Sequence, residues 1–308
     1  MKEGRTVEAI SGALVIDKSA GMTSHDVVNK IRRLYGTKRV GHTGTLDPMA
    51  TGVLVVLVGR AAKASEYLTG CTKSYVATLR LGLCTDTEDT TGCVLSTSDE
   101  IPSAEAVRNT AAGFVGQIMQ IPPMYSALKV GGKKLVDMAR EGKTVERQAR
   151  RIEISALEIE PTNEPTDYVM TVSCSGGTYI RTLCADIGAA LGCGGVMSSL
   201  RRERVSHFTL SQAHTLEELE AMSADERAAQ LIPVDELFSD LELTSLPPFF
   251  ERLFRSGCGI FQKKLGTHFE LGARLRIYTQ DGNFIALGEV KELDGQSVIK
   301  SVKLFDIE

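Results

Sequence analysis

One glycine-rich segment of this 308-residue chain has the residue types and spacing to present a carboxylate for chemistry. Residues 41–52 read GHTGTLDPMATG and lie between a helix-like segment and the apolar run Val53–Val58. Glycines allow backbone angles that other residues avoid, and Pro48 restricts both its own φ and the conformation of Asp47. The pattern predicts a stiff loop that presents Asp47 at the mouth of a buried strand. A turn in which Asp47 only binds backbone amides is the alternative, and composition alone favours it.

Four other side chains are candidates for the same site, namely His42, Tyr75, Tyr179 and Arg181. An aspartate can act as a covalent nucleophile or as a base, and an arginine paired with it would keep it ionised and aimed. A tyrosine can stack on a nucleobase or carry a proton. Taken singly, each candidate has a commoner interpretation as core packing, a surface charge or a loop hydrogen bond.

Several kinds of site find no support in the sequence. It contains no GxxxxGK[ST] segment and no GxGxxG placed after a strand, so a nucleotide cofactor is not predicted. The five histidines are scattered without HExxH, the seven cysteines include no CxxC pair, and there is no GxSxG elbow. We therefore expect no cofactor and no metal, and a metal- or thiol-dependent hydrolase is disfavoured.

Charge is distributed unevenly along the chain, whose net charge is -4. Residues 1–60 carry a local +4 and residues 129–151 a local +5, whereas residues 215–242 carry a local -8. Two basic segments and one acidic segment are compatible with a protein that binds nucleic acid through one face. Solvated charged loops are the alternative interpretation.

The sequence also predicts a cytoplasmic protein. No apolar run approaches the 18 or more residues of a membrane span, and residues 1–5 lack the apolar segment of a signal peptide.

Hydrophobic periodicity predicts the elements around the candidate residues. Residues 24–35 form an amphipathic helix with Thr23 and Asp26 as its capping box, and residues 180–191 form a second helix. Strands are predicted at Gly12–Lys18, Val53–Val58, Lys73–Gly82, Ile152–Glu160, Tyr168–Cys174, Val196–Leu200 and Arg204–Leu210, the last two joined by a basic turn at Arg201-Arg202.

Two further regions have their own pattern. Residues 129–151 are basic and dotted with glycine, which is typical of a functional or a disordered loop. From about residue 249 a short helix and three alternating segments predict a small β-rich domain, separated from the rest by prolines 233, 247 and 248.

Taken together, these motifs resemble those of the TruB-type tRNA pseudouridine synthases. The resemblance rests on the loop of residues 41–52 and on further segments that match in order, namely GALVIDK at 12–18, KSY at 73–75, LG with TDT at 81–87, PPMYSALK at 122–129 and GTYIRTL at 177–183. It covers about residues 12–235 and is looser beyond them.

The resemblance implies an α+β fold with a mixed, largely antiparallel central sheet and flanking helices. It implies a catalytic domain at residues 1–240, with an RNA-clasping insertion at about 124–152, and a PUA-like RNA-binding domain at 245–308. The implied activity is isomerisation of uridine to pseudouridine at position 55 in the T loop of tRNA, without a cofactor, by a monomer that needs no protein partner. A non-catalytic tRNA-binding or folding chaperone on the same fold is the alternative.

The resemblance also implies roles for individual residues. Asp47 would be the essential nucleophile or base, Arg181 its partner, and Tyr75 the residue that stacks on the flipped uracil and assists proton transfer. The other residues implied to bind substrate are His42, Lys63, Tyr179 and Leu200. The residues implied to hold the RNA backbone are Lys133, Lys134, Arg150 and Arg151.

Overall fold

The computed structural model describes residues 10–305, so the interpretation of residues 1–5 lies outside the described residues. In chain order the strands are β1 (Gly12–Lys18), β2 (Val40–His42), β3 (Thr51–Val58), β4 (Lys73–Leu81), β5 (Leu83–Thr85), β6 (Val94–Thr97), β7 (Gly116–Gln120), β8 (Lys129–Val130), β9 (Lys133–Lys134), β10 (Arg150–Pro161), β11 (Asp167–Cys174), β12 (Gly195–Val205), β13 (Phe208–Thr209), β14 (Glu242–Leu246), β15 (Ile260–Phe261), β16 (Arg274–Thr279), β17 (Phe284–Leu293) and β18 (Gln296–Leu304). The helices are α1 (Ser24–Leu34), α2 (Ser65–Leu68), α3 (Ala104–Ala112), α4 (Leu135–Arg140), α5 (Ile180–Ala190), α6 (Leu216–Ala221), α7 (Ala224–Ala229), α8 (Pro248–Arg255) and α9 (Gln262–Leu265), with short 3₁₀ helices at Gly59–Ala64, Leu210–Gln212 and Val234–Phe238. None of the helices in residues 10–305 has the length and apolar character needed to span a membrane.

A large central sheet has the strand order β1-β3-β12-β4-β11-β10-β7, with β2 added to β3 and β13 added to β12. Every pair is antiparallel except β12 and β3, which run parallel where Arg201 and Arg202 face Thr51 and Gly52. The predicted α+β class with a mixed, largely antiparallel sheet is therefore confirmed. The parallel contact matters for the site because it sets β12 directly beside the end of the loop that carries Asp47.

Strand β3 is buried on both faces, as its uninterrupted apolar run predicts. Leu54, Val56 and Val58 pack into the core beneath α1, whereas the alternate residues Val53, Val55 and Leu57 pack into a second core. Side chains of a strand alternate between its faces, so a strand with a core on each side needs apolar residues throughout.

Helix α1 begins at Ser24 because Thr23 and Asp26 form the predicted capping box. Thr23 Oγ1 accepts a hydrogen bond from the Asp26 backbone N–H at 3.1 Å, and Asp26 Oδ2 accepts one from the Thr23 N–H at 2.9 Å. Val27, Val28 and Ile31 form its buried face. The helix start is therefore fixed, and with it the position of Ser24, whose hydroxyl contacts the Leu46 backbone.

The predicted turn at Arg201-Arg202 is wrong, because β12 runs through both residues as one strand from Gly195 to Val205. Bulges between Met197 and Ser199 and between Arg202 and Arg204 bend the strand without ending it. The two charges are compatible with a sheet interior because both are satisfied there. Arg201 pairs with Asp17 at 2.8 Å, and the buried Arg202 donates to backbone carbonyls.

The basic segment 129–151 has regular structure over much of its length. The strands β8 and β9 form a hairpin, and α4 follows with Leu135 buried at 1% exposure. Arg150 and Arg151 already belong to β10, where they face Gln120 and Met119 of the edge strand β7. The segment is therefore ordered, and the structure does not support the alternative of a disordered loop.

The C-terminal residues form a separate five-stranded sheet of order β14-β16-β17-β18-β15, which confirms the predicted small β-rich domain. Its core includes Leu246, Phe254 and Ile277. Leu287 and Phe305 belong instead to the second core of the large sheet, so the two parts share an apolar interface.

Candidate active site

The loop that carries Asp47 is tied to helix α1. Ser24 Oγ donates to the Leu46 carbonyl at 3.1 Å and accepts from the Leu46 N–H at 2.8 Å. Gly52 ends the loop with φ +100°, and a Cβ there would lie 2.2 Å from the Arg202 carbonyl oxygen. Only glycine fits this close approach between loop and strand, so the predicted rigidity of the loop has a steric cause.

Two buried cations support the loop from below. Arg202 Nε donates to the Val53 carbonyl at 2.7 Å and Nη2 donates to the Gly44 carbonyl at 3.0 Å. Lys18 Nζ donates to three carbonyls, including that of Pro48 at 3.3 Å. Burial lowers the pKa of Lys18 to about 8, with a smaller contribution from Arg202, although Asp47 acts in the opposite direction.

Asp47 forms the expected ion pair with Arg181. Arg181 Nε donates to Asp47 Oδ2 at 2.9 Å, and Nη2 lies 3.3 Å from Oδ1. The arginine side chain is 6% exposed and the aspartate 32%, so one side of the carboxylate stays open to the space above it. The arginine orients the carboxylate without covering it.

Arg181 also connects segments that lie far apart in the chain. Nη1 donates to the Thr87 carbonyl and Nη2 to the Tyr125 carbonyl, both at 2.8 Å. The Asp89 carboxylate lies 3.8 Å from Nε. A planar guanidinium with five N–H donors can hold such a set of acceptors in one geometry, whereas an ammonium cannot.

Above Asp47 lies a cavity of about 670 Å³. Of the predicted site residues its walls include His42, Asp47, Tyr75, Lys134, Tyr179, Arg181 and Leu200. A cavity of this size is typical of small-ligand sites and can hold one nucleotide.

Tyr75 and Tyr179 are partly or largely buried in the cavity wall. Tyr75 is 7% exposed, and burial raises the pKa of both phenols, so both keep their proton at neutral pH. Tyr179 is held by Gln120, whose amide donates to the Tyr179 carbonyl at 3.1 Å and accepts from its N–H at 2.9 Å. The Tyr179 ring is therefore positioned through the hydrogen bonds that Gln120 makes with the Tyr179 backbone.

His42 is neutral in this setting. Its Nδ1 accepts a hydrogen bond from the Gly44 N–H at 3.3 Å. Burial lowers its pKa, and the positive charge of Arg202 lowers it further. A neutral ring with Nδ1 as acceptor carries its proton on Nε2.

The remaining predicted residues do not lie at the cavity. Lys63 Nζ lies 3.4 Å from the Leu304 carbonyl in the C-terminal sheet and is not among the wall residues. Lys133, Arg150 and Arg151 are exposed residues of the basic segment, and Arg151 donates a hydrogen bond to the Gln117 side chain. Lys134 is the one predicted backbone contact that reaches the cavity wall.

Sequence reasoning missed several residues around the cavity, among them Lys18, Lys73, Thr87, Asp89, Ser126 and Arg202. Asp89 lies in the loop between β5 and β6, which pair as an antiparallel hairpin. The many threonine and acidic residues of this loop indicated a structural role, because such side chains bind backbone groups. Thr85 Oγ1 and the Asp89 carboxylate do so, the latter accepting from the Thr91 N–H at 2.9 Å.

The lowered pKa of Lys18 makes the free energy of unfolding depend on pH. Its folded-state pKa of about 8 lies below the ordinary 10.5, so the unfolded chain binds more protons between these values and stability rises with pH. We expect the free energy of unfolding of the wild type, minus that of Lys18→Met, to increase across this range by up to about 1.4 kcal/mol per pH unit. Urea titrations at several pH values measure the difference, and a difference that stays flat would contradict it.

Solved structures and sequence relatives agree on what this protein resembles. The crystal structure of a Cbf5-Nop10-Gar1 complex matches with a TM-score of 0.72 at 24% identity, covering 96% of this chain and 84% of that one. The archaeal box H/ACA sRNP Nop10-Cbf5 complex matches with a TM-score of 0.71 at 24% identity, covering 99% and 89%. The fold is that of the pseudouridine synthases.

Sequence similarity defines the family. Residues 32–180 match the TruB family pseudouridylate synthase (N terminal domain), and residues 181–242 match the tRNA pseudouridylate synthase B C-terminal domain. A protein of Burkholderia mallei named tRNA pseudouridine synthase B is 43% identical over 92% of this chain and 94% of its own length. One of Alkaliphilus oremlandii with the same name is 41% identical over 96% and 98%. The chain belongs to the TruB family of pseudouridylate synthases and is therefore an isomerase.

Proposed function

We propose that this enzyme converts the uridine at position 55 in the T loop of tRNA to pseudouridine. The observation that carries the proposal is the Asp47 carboxylate, held by Arg181 and open to a nucleotide-sized cavity with two tyrosines in its wall. The names of its relatives support tRNA as the substrate. The fold and the family leave the position in the tRNA open, so it needs its own test.

The reaction balances without any second substrate. The N1–C1′ bond of uridine breaks, the uracil turns, and a C5–C1′ bond forms. The proton on C5 leaves and N1 ends with a proton, so there is no net oxidation or reduction. A group that moves protons or forms a transient bond beside C1′ is what the chemistry requires, and a carboxylate can do either.

The cavity residues receive the base in this proposal. A uridine within a folded RNA loop must leave its stack before an enzyme can reach its glycosidic bond. Tyr75 stacks on the extruded uracil and assists proton transfer, and Tyr179 and Leu200 line its pocket. His42 holds the Asp47 loop and the displaced nucleotides.

Lys63 and the C-terminal domain contribute outside the cavity. Lys63 lies where the two sheets meet, which suits a contact to RNA backbone that spans both. Residues 245–308 act as the PUA-like RNA-binding domain, and residues 1–240 as the catalytic domain with the insertion at 124–152. The protein works in the cytoplasm as a monomer without a protein partner, which light scattering and activity of the purified chain would test.

The decisive experiment is incubation of the purified protein with an unmodified tRNA transcript, without added metal or nucleotide. We expect pseudouridine at position 55 and none in a transcript that carries cytidine there. Mapping of the product by chemical labelling locates the modified position. Pseudouridine at another position only, or none at all, would reject the assignment.

The basic insertion should supply part of the salt dependence of tRNA binding. Neutralising Lys133, Lys134, Arg150 and Arg151 removes up to four contacts to phosphates, so the slope of log affinity against log salt should fall by up to about 3. Lys30→Gln is a matched control, because Lys30 pairs with Glu220 on the acidic segment. Affinity measured over a range of salt concentrations decides, and an unchanged slope counts against the insertion as the clasp.

A further inference from the structure

Two cations at the cavity wall have no acidic partner. Lys73 is 5% exposed and Arg202 1% exposed, and no carboxylate in residues 10–305 lies within ion-pair distance of either. The thiols of Cys71 and Cys174 lie near Lys73, but burial raises the pKa of both, so they are neutral at pH 7. The wall therefore carries two unneutralised positive charges.

Such an arrangement is costly without an anion. A buried charge that lacks a counter-ion loses hydration that carbonyl groups only partly replace. Burial and the nearby Arg202 both lower the pKa of Lys73, which shows the direction of that cost. The two side chains flank the same point of the Asp47 loop, because a Cβ at Gly44 would lie 3.4 Å from Lys73 Cε and 3.7 Å from Arg202 Nη1.

Lys73 has a proton left for a ligand. Its ammonium carries three, and two are donated to the carbonyls of Thr69 at 3.1 Å and Cys71 at 2.9 Å. Arg202 donates hydrogen bonds to the carbonyls of Val53, Gly44 and Thr45, so it is the more firmly fixed of the two. Of the pair, Lys73 is the one able to bind an oxygen in the cavity.

The position of Lys73 suggests which oxygen it binds. Lys73 and Tyr75 are successive inward residues of β4, so their Cα atoms lie about 6.8 Å apart. When the base of a nucleotide stacks on Tyr75 and its sugar lies at Asp47, the distance from the base to the phosphate is similar to this separation of Lys73 and Tyr75. Uracil itself is neutral before the bond breaks, whereas phosphate brings the missing negative charge.

We propose that Lys73, backed by the charge of Arg202, binds a phosphate that flanks the target uridine and so sets how deeply the nucleotide enters the cavity. This inference rests on the proposed function, since it assumes a nucleotide in the cavity. It makes Lys73 a substrate-binding residue, and it explains why a lysine lies in the interior of a sheet.

Salt dependence of binding tests the proposal without turnover. In an Asp47→Asn background, Lys73→Met should weaken binding of an unmodified tRNA transcript about tenfold and reduce the slope of log affinity against log salt by about 1. Lys73→Arg should keep most of the slope. Lys30→Met removes a paired surface lysine and should leave the slope unchanged. A full slope in Lys73→Met would overturn the proposal.

A chemical substitution in the RNA identifies the phosphate. A T-arm RNA with one neutral methylphosphonate next to the target uridine should bind the Asp47→Asn protein about tenfold more weakly, and Lys73→Met should add no further loss. Independent, additive losses of affinity would contradict the proposal. If Lys73→Met does not fold, the effect of methylphosphonate on protein with Lys73 intact still decides, and no effect at either flanking phosphate rejects the site.

Failure of this inference can be told apart from failure of the proposed function. Wild-type protein and the same transcript are assayed separately for pseudouridine. Product at position 55 together with an unchanged salt slope in Lys73→Met rejects the phosphate site alone. Absence of product rejects the assigned reaction, while the binding measurements judge Lys73 independently.

Discussion

Asp47→Asn is expected to lower the rate of pseudouridine formation by about 10⁴-fold or more, which is the size of loss that follows removal of a group acting in covalent or acid–base chemistry. The amide has the shape of the carboxylate but neither its charge nor its basicity. Release of the C5 proton from tRNA labelled there, measured in a single turnover, follows the reaction directly.

The fold and tRNA binding should survive this change. The loop is held by backbone contacts of Leu46 and by Gly52, which the substitution leaves in place. Asp167→Asn is a matched control, because Asp167 forms a similar bidentate pair with Arg80 at the far end of β4. We expect the folded fraction of Asp167→Asn to react at nearly the wild-type rate. Activity of Asp47→Asn within tenfold of wild type would remove Asp47 from the chemistry.

Arg181→Lys is expected to lower kcat by about 10²-fold while KM changes little. Lysine keeps the charge but cannot hold Asp47 and the carbonyls of Thr87 and Tyr125 in one plane. A misplaced catalytic group costs rate rather than binding, because the contacts to RNA are made elsewhere. Steady-state kinetics with tRNA separate the two parameters.

Loss of the charge at residue 181 should also reduce stability. Arg181→Met leaves the Asp89 carboxylate, whose side chain is 8% exposed, without its cation, and breaking such a buried pair costs about 3 kcal/mol. Urea unfolding measures the loss. Arg80→Met, at a more exposed pair, should lose less. Wild-type kcat in Arg181→Lys, or unchanged stability in Arg181→Met, would show that the set of contacts made by the Arg181 guanidinium is not needed.

Local sequence patterns determine much of this protein. The capping box at Thr23 and Asp26, the apolar run of β3 and the alternation in β4 act over a few residues, so the elements they specify are found where expected. The same holds for the Asp47 loop, whose glycines and proline act on their own backbone. Its pairing with Arg181, 134 residues away, was expected only from the family resemblance.

The tertiary structure alone decided which distant residues complete the site. Arg202 has the local pattern of a turn, yet it is buried in β12, because its guanidinium meets carbonyls of the Asp47 loop some 150 residues earlier. Lys73 and Asp89 likewise gain their places from the order of strands in the sheet and from the β5–β6 hairpin. The physical reason is that propensity and periodicity are set by neighbours in sequence, whereas the burial and pairing of a charge depend on which strands become neighbours in space.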